Sequence, residues 1–236
     1  MRIRSLLPLL LPVALVVSFQ AGSDKPIASV VIDPKATPIT LHWKDDSGMV
    51  IGDIGRLKTL VEGKGQRLRF AMNGGMYMED QSPLGLYVEN GQTLRKLITA
   101  TKGHGNFYMQ PNGVFGVDTN GGAFVVMTAD HERRKDVLFA TQSGPMLVAD
   151  SVINVAFKEN SPNVNIRNGV GILPDGKVVF AMTREPMNFY AFARFFQDQG
   201  CQNALYLDGV ISRAYMPTEG LQQMGGALGP LIAVME

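Results

Sequence analysis

The chain is short of the residues that most often announce a chemistry. It has one cysteine, Cys201, so an internal disulfide framework is excluded. Its three histidines, His42, His104 and His131, are scattered and form no His-Glu-x-x-His pair, so no zinc site and no other cofactor is expected. Charged residues make up only 18% of the chain, with 22 Lys and Arg against 21 Asp and Glu. The longest basic run is Arg133-Arg134-Lys135, too little for a nucleic-acid footprint. A G-x-S-x-G elbow and a phosphate-binding Walker loop are also missing, and neither Ser143 nor Ser212 sits where a nucleophilic serine would turn from strand to helix.

Long hydrophobic runs are equally scarce. The longest, Leu6 to Phe19, falls short of the 18 or so residues a spanning helix needs. With Arg2 and Arg4 before it and small, polar residues after it, it has the layout of a secretory signal peptide. We expect residues 1–21 to be a leader and residues 22–236 one exported domain, periplasmic or secreted, of net charge −1 and without stable membrane insertion once the leader is cleaved.

What the chain has instead is apolar residues, 45% of the total, punctuated by 26 glycines. Three segments have hairpin grammar, two apolar runs joined by a Gly-containing turn at Asn90-Gly91, Asn120-Gly121 and Asp175-Gly176. Two others run helix, glycine, strand. In the first, Ile54, Leu57, Leu60 and Val61 share a helical face, Gly63 can close the helix, and the strand LRFAM leads to Asn73-Gly74-Gly75. In the second, Asn188 can cap a helix whose Phe189, Phe192, Ala193 and Phe196 face one way, Gly200 ends it, and ALYL leads to Asp208-Gly209. The expected fold is α+β: a mixed, largely antiparallel sheet core with packed helices, in a single domain. Residues 22–40, with three prolines, are expected to wander before joining the sheet.

Five polar islands interrupt the apolar sequence: Asn73–Tyr77, Asn106–Gly113, Thr141–Pro145, Arg167–Gly169 and Asp208–Ser212. A strand that buries an amide or a charge must give it a partner or a purpose, so these islands are expected to gather at one edge as a site. Glycine in most of them lets backbone approach a ligand closely.

In their order, NGGMY, QSGPML, RNGVGI and LDGVIS resemble the motifs of the phosphodiester glycosidase family over roughly residues 70–232. The resemblance implies an exported hydrolase that cleaves a sugar-1-phosphodiester at the glycosidic bond, on an envelope or extracellular glycan such as an exopolysaccharide. It implies Asp208 as the carboxylate that attacks or activates water and Arg167 as the fork that holds the phosphate. Asn73, Gln142, Ser143 and Ser212 complete its polar pattern, with backbone donors expected at Gly74, Gly75, Ser143 and Gly144. Glu79, Asp80 and Glu185 are reserve acids. Many members read LDGGGS where this chain has the branched Val210 and Ile211. That departure keeps open a noncatalytic glycan-binding protein of the same fold, and cleavage on the phosphorus side is the further alternative.

Overall fold

The computed structural model describes residues 25–132, 134–209 and 211–236. The expected leader, Arg133 of the basic triplet and Val210 of the LDGVIS motif lie outside the described residues.

Every strand pairing among the described residues is antiparallel, and the strands form three sheets. The six-stranded sheet runs β1 (Ile27–Ile32), β12 (Val178–Thr183), β11 (Asn168–Ile172), β13 (Asn203–Asp208), β9 (Met146–Ala149) and β10 (Val152–Ile153). A five-stranded sheet runs β15 (Leu221–Gln222), β14 (Ala214–Met216), β3 (Leu68–Asn73), β16 (Leu231–Met235) and β2 (Ile39–His42). The third runs β5 (Gln92–Arg95), β4 (Tyr87–Glu89), β8 (Val137–Ser143), β6 (Gly113–Asp118) and β7 (Ala123–Met127).

The three hairpins form where the turn residues place them. β4 and β5 are joined by Asn90 and Gly91, both at positive φ, the two-residue turn whose twist matches the strands it links. Residues 27–32 and 39–42 correct the expectation of a wandering segment. IASVVI pairs with β12 along its whole length and ITLH with β16. Three prolines outweighed the alternating apolar residues between them, although all three fall outside the two strands.

One core joins the sheets. Phe70 of β3 stacks on Phe180 of β12 at 4.8 Å, and Phe115 of β6 meets the same ring edge-on at 5.6 Å. Each helix then covers the outer face of one sheet. α1 (Ile54–Gly63) buries Ile54, Leu57 and Val61 against Leu68, Ala71, Leu231 and Ala233. α3 (Phe189–Asp198) packs Phe189, Phe192 and Phe196 on Val179, Ala181, Ala204 and Tyr206, while the short α2 (Thr128–His131) follows β7. β13 is therefore buried on both faces, Leu205 and Leu207 in the shared core and Ala204 and Tyr206 under α3. Both long helices start on a side-chain cap, Asp53 accepting from Arg56 N at 2.7 Å and Asn188 from Ala191 N at 2.9 Å. The turn after α1 is taken by Gly65 at φ +76°, with Gly63 still helical, whereas Gly200 turns the chain after α3 as expected.

Candidate active site

β3 and β13 belong to different sheets, yet their polar ends meet. Asn73 Nδ2 donates to Asp208 Oδ2 at 3.1 Å, and Gly209 N donates to Asp208 Oδ1 at 2.6 Å. A β-bulge after Asn168 slips the β11–β13 register so that Asn168 faces Asp208, and Asp208 N donates to Asn168 Oδ1 at 2.8 Å. Asn168 Nδ2 in turn donates to Asn73 Oδ1 at 2.8 Å. Asn73 Nδ2 also donates to Ile211 O at 2.8 Å, and Ser212 Oγ donates to Asp208 O at 3.0 Å. The carboxylate thus accepts from Asn73 Nδ2 and Gly209 N, while Asn168 and Ser212 hold the Asp208 backbone, and the residue is only 5% exposed. Two donors on its two oxygens fix the orientation of the group.

Asp208 opens into a cavity of about 440 Å³ lined also by Met76, Tyr77, Glu79, His104, Asn106 and Ile211. Glycines 103 and 105 flank His104, and Gly105 at φ +87° turns the chain into a short 3-10 turn that carries Asn106. The Tyr77 hydroxyl donates to Ala227 O at 2.5 Å. Burial, with the Asp208 charge nearby, pushes its phenol up to about 12, so it stays neutral. A framed carboxylate, a second acid, an imidazole and an amide around one cavity can attack or activate water and manage a proton.

Arg167 lies behind this cavity. It is fully enclosed, its guanidinium 3.7 Å from the Phe189 ring centroid. Its hydrogen bonds go to Met187 O at 2.6 Å, Asn163 O at 2.9 Å, Asn163 Oδ1 at 3.3 Å and the Tyr206 hydroxyl at 3.3 Å. Tyr206 also bonds Asn106 of the cavity wall, and burial raises its phenol to about 12 although Arg167 pulls the other way. The expected fork on a phosphate does not fit this placement, because the donors are turned to protein acceptors. Burial lowers the arginine's own affinity for its proton.

The other expected contacts are also redirected. Gln142 is fully buried and uses its amide on Leu86 N, Ile98 N and Ile98 O, at 2.7 to 3.0 Å, so it ties β8 to the 86–98 segment. Ser143 Oγ donates to Leu207 O at 2.8 Å and Gly74 N to Pro230 O at 2.7 Å. Gly75 and Gly144 allow tight packing, since a Cβ on either would stand 2.7 Å from Thr141 Oγ1 or Asn112 Cβ. Of the reserve acids, Glu79 lines the cavity, while Asp80 accepts from Ser82 N at 3.0 Å in its own turn. Two residues outside the expected set stand at this site, His104 on the cavity wall and Asn168 against the Asp208 backbone. The glycines around His104 were the available signal.

A model of the phosphodiester glycosidase family matches residues 66–226. The uncharacterised Escherichia coli protein YigE is 36% identical over 211 residues, spanning 88% of this chain and 82% of that protein. Among solved structures, the catalytic domain of zebrafish N-acetylglucosamine-1-phosphodiester alpha-N-acetylglucosaminidase, auto-inhibited by its pro-peptide, matches with a TM-score of 0.62 at 15% identity, over 92% of this chain and 86% of that one. A Burkholderia pseudomallei chain named as a candidate exported protein matches with a TM-score of 0.60 at 11% identity, over 88% and 73% of the two chains.

Proposed function

We propose, since the chain belongs to the phosphodiester glycosidase family, that it hydrolyses a sugar-1-phosphodiester at the glycosidic bond. The observation that carries this reading is the framed carboxylate of Asp208 at the cavity wall, oriented by Asn73 Nδ2 and Gly209 N. The carboxylate attacks the anomeric carbon or takes a proton from the water that does. The C1–O bond breaks, its electron pair leaves with the phosphate oxygen, and water completes a free reducing sugar and a phosphomonoester. A phosphate ester is a good leaving group, so a strong acid opposite Asp208 is dispensable. In this reading His104, which lines the same cavity, meets the phosphate. Arg167 acts from behind as a positioning residue, through Tyr206 to Asn106.

Export of the 22–236 domain to the periplasm or medium goes with this reading. The Arg2–Phe19 layout supports it, as does the likeness to a Burkholderia chain named for export. The natural substrate would then be an envelope or extracellular glycan. The test incubates the purified domain with sugar-1-phosphodiesters in oxygen-18 water. Reducing sugar carrying the label, lost in Asp208→Asn, is the expected result. Label in the phosphate would instead place cleavage on the phosphorus side, and saturable binding without any product would favour a glycan-binding protein.

A further inference from the structure

The cavity that receives Asp208 has a lining of two kinds. His104, Asn106 and Glu79 bring polar atoms, but Met76, Met78, Leu84, Phe107 and Ile211 bring none that can pair with a hydroxyl. The polar tip of Tyr77, which lies between them in the chain, is already given to Ala227 O. A ligand that is polar throughout would leave its hydroxyls facing thioethers and branched carbons, which costs free energy for each unpaired group. Met78 is 48% exposed and lines this cavity, so its thioether is open to a ligand. Methionine is unbranched and polarizable, so it adapts to flexible apolar ligands of variable length. Ile211 adds its branched carbons at a position where the LDGGGS pattern has glycine, so the chain's own departure from that pattern makes this wall more apolar.

Resting on the glycosidase reading above, we infer that the aglycone of the phosphodiester is an apolar chain, seated against Met76, Met78, Leu84 and Ile211. The sugar and phosphate then take the side of Asp208, Asn106 and His104. About 440 Å³ lies within the range that holds a ligand larger than a single small headgroup, so both parts can be enclosed together.

The test compares methyl, butyl and octyl phosphodiesters of one sugar, each below its micelle threshold. Turnover is read with the native domain and binding by calorimetry with Asp208→Asn. Each methylene that enters the cavity should raise kcat/KM about fourfold, so octyl should exceed methyl by at least about tenfold. Met78→Ser should lower that octyl-to-methyl ratio. If methyl and octyl are hydrolysed equally, the apolar subsite is overturned while the glycosidase reading stands. If nothing is hydrolysed but Asp208→Asn binds octyl more tightly than methyl, the subsite stands and the hydrolytic reading fails. Equal binding without turnover overturns the subsite as well. The same headgroup on a long chain in phosphatidylglycerol vesicles separates sources. Turnover there supports the subsite with a membrane lipid as donor, and turnover confined to free short chains supports it with a soluble one.

Discussion

The unit of α1 and β3 and the unit of α3 and β13 are built alike and end differently. Each helix begins on a side-chain cap, covers a sheet with one apolar face and hands the chain through a glycine to a strand that stops at a polar residue and another glycine. The first stops at Asn73, whose amide is spent on protein groups, two of them donated to and two accepted from. The second stops at Asp208, with a buried cation, Arg167, two hydrogen-bonding steps behind the cavity wall. One local plan thus serves two purposes. A neutral amide, donor and acceptor at once, can tie strand ends together, whereas a carboxylate accepts only and keeps a charge to use.

Removing the charge breaks the contrast most severely. Asp208→Asn should lower turnover by about a thousandfold or more, and steady-state rates beside a melting curve will show whether the fold survives. Arg167→Ala comes next. It strips bonding partners from Tyr206, Asn163 and Met187 together and should cost about 3 kcal/mol in denaturant unfolding. Asn73→Asp makes the two ends alike. Two carboxyls about 3 Å apart cannot both ionise easily, so one is held protonated to higher pH. The acid limb of the pH–rate profile should therefore move upward, with a loss of about tenfold at neutral pH that recovers as pH rises. An unmoved limb would separate Asp208 from the rate. The smallest effect tests the likeness itself: Asp53→Ala and Asn188→Ala should each cost about 1 kcal/mol, and nearly the same amount.

Local grammar was the readable part of the sequence. Asn90-Gly91 specifies its turn by backbone sterics alone, and the Phe189, Phe192 and Phe196 spacing specifies a covered helix face. The division into three sheets was not readable, because the pairing of β1 with β12 joins residues some 150 positions apart and no local pattern names the partner. Gln142 and Arg167 show the corresponding limit at the site. A polar residue beside glycine reads the same whether it faces a ligand or saturates buried backbone, and the bonds from Gln142 to Leu86 and Ile98 decide that only after the chain is folded. His104 was overlooked for the opposite reason. Its loop has no periodicity, and only the folded chain sets it on the same cavity as Asp208.

Gly209 carries a consequence for how this protein can vary. A Cβ there would stand 1.4 Å from the Tyr206 hydroxyl, the same oxygen that bonds Arg167 and Asn106. Positions 206 and 209 are therefore sterically tied. A side chain at 209 would evict the phenol, leave a buried cation short of a partner and loosen the cavity wall in a single step, so the cavity can be reshaped through Met78 or Ile211 far more readily than through the strand end itself.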